Sequence, residues 1–175
     1  MTTSLIRPAT VADVPLLCQL GGGTFRETYR TTTDLAQLDD YVATHFSPER
    51  VEAWFRQPRT ATLVAQAGGT PVGYAHVRGA EVPACVSDRQ AVELSRLYLL
   101  ASAQGTGLGS VLLAAALEAI GALGGRTVWL GAYDRNHRAL AFYEKHRFAR
   151  VGTHEFEFGG QVHADLVLTR ALHDG

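Results

Sequence analysis

The stretch Gln104-Gly105-Thr106-Gly107-Leu108-Gly109-Ser110 lies where one periodicity gives way to another. Val92 to Leu100 before it reads as a strand, and the apolar residues after it recur at helical spacing to about Leu123. Three glycines at alternating positions leave the backbone of a helix start uncovered. Glycine carries a backbone-entropy cost, so three in six residues are hard to justify by turn geometry alone. At a helix start the first N–H groups lack partners, and the positive end of the helix dipole faces the same way. That combination favours an anion, most often a phosphate. With a further strand at Thr127 to Tyr133, the segment also demands one parallel crossover.

The flanking segments pair differently. Leu5-Ile6-Arg7 reads as a short strand stopped by Pro8, and Thr10 and Asp13 precede a helix carrying Val14, Leu16, Leu17 and Leu20. That helix is expected to stop or bend at Gly21-Gly22-Gly23. Residues 24–57 look helical but polar, with Ser47-Pro48-Glu49 opening a helix through Val51, Trp54 and Phe55. Ala61–Gln66 and Val72–Val77 read as strands joined in a hairpin across residues 67–71, and residues 79–90 as a loop. Asn136 to Lys145 has a helical pattern, and Val151–Phe158 and Val162–Thr169 a closing hairpin around Gly159-Gly160. The expected class is α/β of the mixed α+β kind. A single central, mostly antiparallel seven-stranded sheet carries helices on both faces, and residues 1–175 form one domain without repeats or linkers.

Several functions conflict with this pattern. A dinucleotide fold is suggested by Asp134 at the end of the next strand, but glycines at 105, 107 and 109 with Ser110 do not satisfy G-x-G-x-x-G. No Gly-Lys-Ser/Thr occurs, so a Walker loop fails. The net charge is −1, and the cations, all Arg apart from Lys145, are dispersed; no nucleic-acid surface is expected. The longest apolar run, Val111 to Ala122, is too short to span a bilayer, and Met1 to Leu5 does not resemble a signal peptide. A soluble, cytoplasmic protein with no membrane partner is the expectation. Cys18 and Cys85 read as reduced free thiols, and His45, His137, His146, His154, His163 and His173 show no metal-ligand spacing, so no metal is expected.

Leu97 through Gly109 resembles the acyl-CoA-binding motif of the GNAT superfamily of N-acetyltransferases. Its core, Gln/Arg-x-x-Gly-x-Gly/Ala, is met by Gln104, Gly107 and Gly109. A second family signature is met by Asn136, Ala139, Phe142-Tyr143 and Phe148, with Arg147 where the family usually has glycine. Ile6-Arg7-Pro8-Ala9-Thr10 and Asp13-Val14 also fit the family's start, so the resemblance spans essentially the whole chain. Thr24 to Tyr29, Phe46 to Glu49 and Glu93 to Tyr98 look like the bacterial spermidine/spermine acetyltransferase branch.

The resemblance implies an acyl-CoA N-acyltransferase fold, in which acetyl-CoA is the co-substrate and lies in a V-shaped splay of the sheet. Backbone of Leu97, Tyr98 and Leu99 then pairs with the pantetheine arm as a strand would. Gln104, Gly105, Thr106, Gly107, Leu108, Gly109 and Ser110 hold the pyrophosphate, Asn136 is a further contact, and Tyr143 is the general acid near the sulfur. Glu93 is the expected base, because some members carry a strand carboxylate near this position. Strand alternation puts Glu93, Ser95, Leu97 and Leu99 on one face and Leu94, Arg96 and Tyr98 on the other. A carboxylate in a mostly apolar strand is a candidate for a raised pKa; the competing reading is a salt-bridge partner for an arginine. His76 is a weaker candidate base, more readily read as a core histidine.

The resemblance implies a small-molecule amine as the acceptor. A polyamine would need cleft carboxylates, which Glu27 and Glu93 are able to supply, with Tyr29 beside them. Protein N-terminal acetylation, an antibiotic or amino-acid acceptor, and a non-catalytic acyl-CoA-binding module remain open, as does the choice between monomer and homodimer.

Overall fold

The computed structural model describes residues 4–31, 33–158 and 161–172. Seven strands form one sheet: β1 (Ser4–Pro8), β2 (Thr60–Ala67), β3 (Thr70–Arg78), β4 (Val92–Leu99), β5 (Thr127–Ala132), β6 (Ala149–Phe158) and β7 (Gln161–Ala171). Their order is β1-β2-β3-β4-β5-β7-β6, and every neighbouring pair is antiparallel except β4–β5. The mixed, mostly antiparallel sheet expected from the sequence is the one observed. The β2–β3 hairpin turns through Gly68 and Gly69, whose φ values of 57° and 81° suit the twist of a tight hairpin. Gly159-Gly160, expected to turn the β6–β7 hairpin, lies outside the described residues.

Helices cover both faces. α1 (Val14–Tyr29), α2 (Leu35–His45) and α3 (Pro48–Trp54) bury Leu17, Leu20, Phe25, Leu38, Phe46 and Val51 against Val64 and Tyr74 of the sheet. On the opposite face, α4 (Leu108–Ala122) buries Leu112, Leu113, Ala116 and Ile120 against Val92, Leu94, Val128 and Leu130. α5 (His137–Lys145) packs Leu140, Phe142 and Tyr143 against that second core. Each layer closes one face of the sheet with a stripe of apolar side chains.

Two local expectations are corrected. The glycines at 21–23 do not end or bend α1, which continues through them to Tyr29. A Cβ on Gly21 would lie 2.2 Å from the Phe46 ring, and one on Gly22 would lie 2.8 Å from Val42 Cγ1. These glycines let α2 and its C-terminal Phe46 approach α1 closely; they are contact residues, not breakers. The second correction concerns β4. His76 pairs with Arg96 while Val77 pairs with Leu94, so Ser95 is an extra residue with no partner on β3. This bulge reverses the alternation. Leu94 joins Leu97 and Leu99 on the α4 face, whereas Tyr98 and Leu100 join the α1–α3 face. Arg96 lies over Phe46 and Trp54 there, so Leu94 and Arg96 occupy opposite faces.

Candidate active site

β4 and β5 pair only at Val92–Val128 and Glu93–Trp129. Beyond those two rungs the parallel strands diverge, although β4 continues to Leu99 and β5 to Ala132. The other edge of β4 stays bonded to β3 as far as Leu99, so the edge facing β5 is left without a strand partner. The opening is a cleft of about 1280 Å³, lined from one end by Gln104, Gly105, Gly107 and α5 and from the other by α1 and β7. Leu97, Tyr98, Leu99, Gly109, Ser110, Asn136, Tyr143, Glu93, Glu27 and Tyr29 all line it, so most of the residues singled out in the sequence converge on one space.

The glycine turn forms one arm of the cleft. Gly105 and Gly107 have φ values of 78° and 88°, in the left-handed region that side-chain-bearing residues disfavour. No atom lies within 4 Å of where a Cβ on either would sit. Open space at both positions means packing does not require glycine there; the backbone conformation does. Gly107 is the N-cap of α4. The N–H groups of Gly105, Thr106, Gly107 and Gly109 form no hydrogen bond among the described residues, while Thr106 Oγ1 donates to the Ala103 carbonyl at 2.7 Å. A bare, donor-rich helix start of this kind fits a phosphate.

Side chains brace this arm. Gln104 Nε2 donates to the Leu99 carbonyl at 2.8 Å, and its Oε1 accepts from Arg138 of α5. Ser110 Oγ lies 2.9 Å from His146 Nε2, and burial, with Lys145 and Arg170 nearby, lowers the His146 pKa. Asn136 lines the cleft but also caps α5, its Oδ1 accepting from Ala139 N at 3.1 Å. Tyr143 is half-buried, edge-on to Phe148 at 5.3 Å and to Phe142 at 5.4 Å. Burial, with a contribution from Tyr98, pushes its hydroxyl above the ordinary tyrosine value, so it stays protonated at neutral pH. Arg138 and Lys145 also line this arm, and sequence reasoning did not find them. The available signal was their position two and nine residues after Asn136 on one short helix.

The other arm is made of side chains from distant segments. Glu93 does not stand alone, because its Oε2 accepts from Arg78 Nε of the neighbouring strand at 2.5 Å. The competing salt-bridge reading of Glu93 is therefore present, with Arg78 as the arginine. Glu27 Oε2 accepts from the Ala101 backbone N–H at 3.1 Å, tying α1 to the segment after β4. The Tyr29 ring is tilted against those of Phe25 at 4.6 Å and Tyr133 at 6.1 Å, and burial pushes its hydroxyl up. Arg96, Tyr41, His154 and Asp165 line the same arm. No sequence signal brought these four together; they come from β4, α2, β6 and β7.

His76 is not a cleft residue. It is 1% exposed, stacks on Trp54 at 4.5 Å and has its Nδ1 2.9 Å from Thr62 Oγ1. Burial, then Arg96 and Arg78, lower its pKa to about 3, which keeps it neutral. Cys18 of α1 and Cys85 of the 79–91 loop are free thiols. Among the described residues no three His, Cys, Asp or Glu side chains cluster as a metal site, and no helix is long and apolar enough to cross a membrane.

Known proteins share this architecture. The chain is 37% identical over 136 residues to an uncharacterized N-acetyltransferase of Mycobacterium bovis, covering 77% of this chain and 82% of that one. The PaiA N-acetyltransferase of Thermoplasma acidophilum, solved in complex with coenzyme A, superposes with a TM-score of 0.74 at 19% identity, covering 97% of this chain and 99% of that chain. YncA, a putative acetyltransferase of Salmonella typhimurium solved with acetyl-CoA, gives a TM-score of 0.67 at 20% identity, covering 98% and 95%. These two structures establish the likeness of fold. A family model described as Acetyltransferase (GNAT) family matches residues 25–148, from α1 to the end of the second signature. Since that match covers most of the chain, including the glycine turn and α5, the protein belongs to the GNAT family of acetyltransferases.

Proposed function

We propose that the chain moves an acetyl group from acetyl-CoA to a small primary amine by direct transfer in a ternary complex. The observation that carries this reading is the edge of β4 left open beyond Glu93, running into the bare helix start at Gly105–Gly109. The residues present fit the donor. Amides of the turn receive the pyrophosphate, with Arg138 and Lys145 on the same arm, and the Leu97–Leu99 backbone accepts the pantetheine as an added strand. The bound thioester supplies an activated acetyl carbon. Relatives solved with coenzyme A or acetyl-CoA support the choice of donor.

Transfer forms a C–N bond and breaks the C–S bond, with one proton to remove and one to supply. Glu93, at the last β4–β5 rung, takes the amine proton through water, and its ion pair with Arg78 fixes the carboxylate. Tyr143, protonated through burial, gives its proton to the departing sulfur. Free N–H groups along the splayed edge receive charge on the carbonyl oxygen. Support for a polyamine acceptor is thinner, because Glu27 is bonded to Ala101 N and Glu93 to Arg78.

The test is thiol release from acetyl-CoA across polyamines, amino acids, aminoglycosides and N-terminal peptides. Turnover with at least one amine is expected, and Tyr143→Phe lowers kcat about 100-fold with an unchanged KM for acetyl-CoA. Glu93→Gln lowers kcat about 10-fold. Tight acetyl-CoA binding without turnover anywhere in the panel would make the chain an acyl-CoA-binding module and overturn the enzymatic reading.

A further inference from the structure

Arg96 is a cation set against an aromatic wall, with no protein counter-ion among the described residues. Its guanidinium lies 4.5 Å from the centroid of the Phe46 ring and 5.7 Å from that of Trp54. Among the described residues it forms no ion pair; the four that occur are Arg7–Asp13, Arg26–Asp39, Arg56–Glu52 and Arg78–Glu93. Glu93, three residues before it on the same strand, is engaged by Arg78. The groups acting on it are hydroxyls, those of Tyr74, Tyr41 and Tyr98. Behind it, fully buried Tyr74 Oη and His76 Nε2 have no hydrogen-bond partner among the described residues. His76 is the cross-strand neighbour of Arg96 in the sheet register.

A charge in such a place costs desolvation that aromatic contacts and hydrogen bonds offset in part and a counter-ion offsets further. Aromatic faces satisfy the flat side of a guanidinium but leave its in-plane N–H donors to be used elsewhere. The open side of Arg96 is the cleft, which it lines together with Tyr41 and Tyr98. It sits one residue past the Ser95 bulge, on the strand whose free edge faces the donor lane. Arg96 and the open edge of β4 border the same cleft.

We propose that Arg96 receives a carboxylate carried by the acceptor, so that the amine substrate is of the amino-acid class and not a polyamine. The inference rests on the acetyl-transfer reading of the cleft and names its acceptor. A carboxylate matches the planar fork of the guanidinium with two parallel N–H···O bonds, and tyrosine hydroxyls beside it have protons to donate. Burial keeps the Tyr98 hydroxyl protonated, in line with that role. A second ammonium placed near this guanidinium meets like charge in a half-dry pocket, which disfavours spermidine-like acceptors. The aromatic wall of Phe25, Tyr29, Tyr41 and Tyr98 would cover an apolar side chain.

The experiment pairs each of the twenty L-amino acids with its methyl ester and its decarboxylated amine, and adds spermidine. Thiol release is measured for the native chain and for Arg96→Lys and Arg96→Gln. The free acids are expected to exceed their esters and amines by about 100-fold in kcat/KM, since a site built around a charged hydrogen bond rejects the analogue lacking it. Arg96→Gln is expected to erase that ratio by lowering turnover of the acids far more than that of the esters, and Arg96→Lys to restore part of it. Esters or spermidine turning over as well as the acids would overturn the proposal, as would an equal loss on acids and esters in Arg96→Gln.

A second measurement is independent of turnover. Binding of N-acetyl amino acids, and of their methyl esters, to the chain saturated with coenzyme A is followed by calorimetry. Arg96-dependent binding of the acids with no amine turned over keeps the carboxylate site and removes the transfer reading. Turnover of amines without a carboxylate preference does the reverse, and neither binding nor turnover removes both.

Discussion

The two arms of the cleft are built by different means. The arm proposed to hold the donor is mainly backbone: positive-φ glycines, the free edge of β4 and a helix start, all within residues 97–110, braced by α5. The arm proposed to hold the acceptor is mainly side chain, drawn from α1, α2, β3, β4, β6 and β7. A backbone receptor binds what nucleotide-bearing donors have in common, whereas a side-chain receptor is free to vary. Damage to the first should abolish donor binding while leaving the fold intact, and damage to the second should affect packing and acceptor choice together.

The largest effect is expected at Gly107. A valine there would have to adopt a φ of 88°, which a β-branched residue resists, and would put a side chain into the bare helix start. Gly107→Val should weaken acetyl-CoA binding about 100-fold, equivalent to about 2.7 kcal/mol, with far-UV circular dichroism unchanged. Calorimetric titration checks this. Arg138→Gln, a side-chain change in the same arm, should cost no more than about 10-fold. If Arg138→Gln proves the more damaging of the two, the donor arm is not a backbone receptor.

Gly21 tests the opposite arm. A Cβ 2.2 Å from the Phe46 ring has to displace the ring over which Arg96 lies. Gly21→Val should destabilise the fold by about 2 kcal/mol by overpacking, read as a lowered midpoint in urea. It should also raise the KM for the acceptor without moving the Kd for acetyl-CoA. A weakened donor affinity in this variant would mean that the arms are coupled.

The wall behind Arg96 also makes stability depend on pH. His76 has a pKa of about 3 in the folded chain against an ordinary 6.5, because burial disfavours its charged form. Below pH 6.5 the unfolded chain takes up a proton that the folded chain refuses until about pH 3. Stability therefore falls as pH drops through that window, by at most about 1.4 kcal/mol per pH unit from this group. His76→Gln, which keeps a partner for Thr62, should flatten the slope by close to one proton in a series of urea melts from pH 7 to pH 4. An unchanged slope would mean that water reaches His76 and that the wall is wetter than its packing implies.

What was legible in the sequence follows the same division. Gln104, Gly107 and Gly109 stand out as a local glycine pattern and Asn136 and Tyr143 through the resemblance to a family signature, and all five line the cleft, because a backbone cradle and a helix cap are local devices. The seven strands and their mixed pairing were legible for a similar reason: hairpin turns and one strand–turn–helix–strand unit are each contiguous. Gly21-Gly22-Gly23 misled because a glycine that admits a neighbour looks in sequence like one that ends a helix; only Phe46 and Val42 tell them apart. Alternation along β4 misled because Ser95, the bulged residue, carries no mark of being extra. Arg78 at Glu93, Ala101 at Glu27 and the setting of Arg96 depend on packing between segments far apart in the chain.

The smallest effect should come from Arg147, where the family's usual glycine is missing. It has a φ of 64° at the end of α5, where its N–H bonds to the Glu144 carbonyl and Phe148 N–H bonds back to Tyr143. That turn delivers Phe148 edge-on to the Tyr143 ring. Holding a side-chain-bearing residue in the left-handed region costs about 1 kcal/mol. A glycine removes this cost but returns about 0.4–1 kcal/mol of unfolded-chain entropy. The backbone contribution of Arg147→Gly to stability should therefore be less than about 0.5 kcal/mol. Arg147→Val, β-branched in the same conformation, should lose about 1–2 kcal/mol. Chemical denaturation of the two variants separates backbone from side chain at this position. A large loss in Arg147→Gly would show that the arginine side chain braces the donor arm, and would end the division between a backbone arm and a side-chain arm.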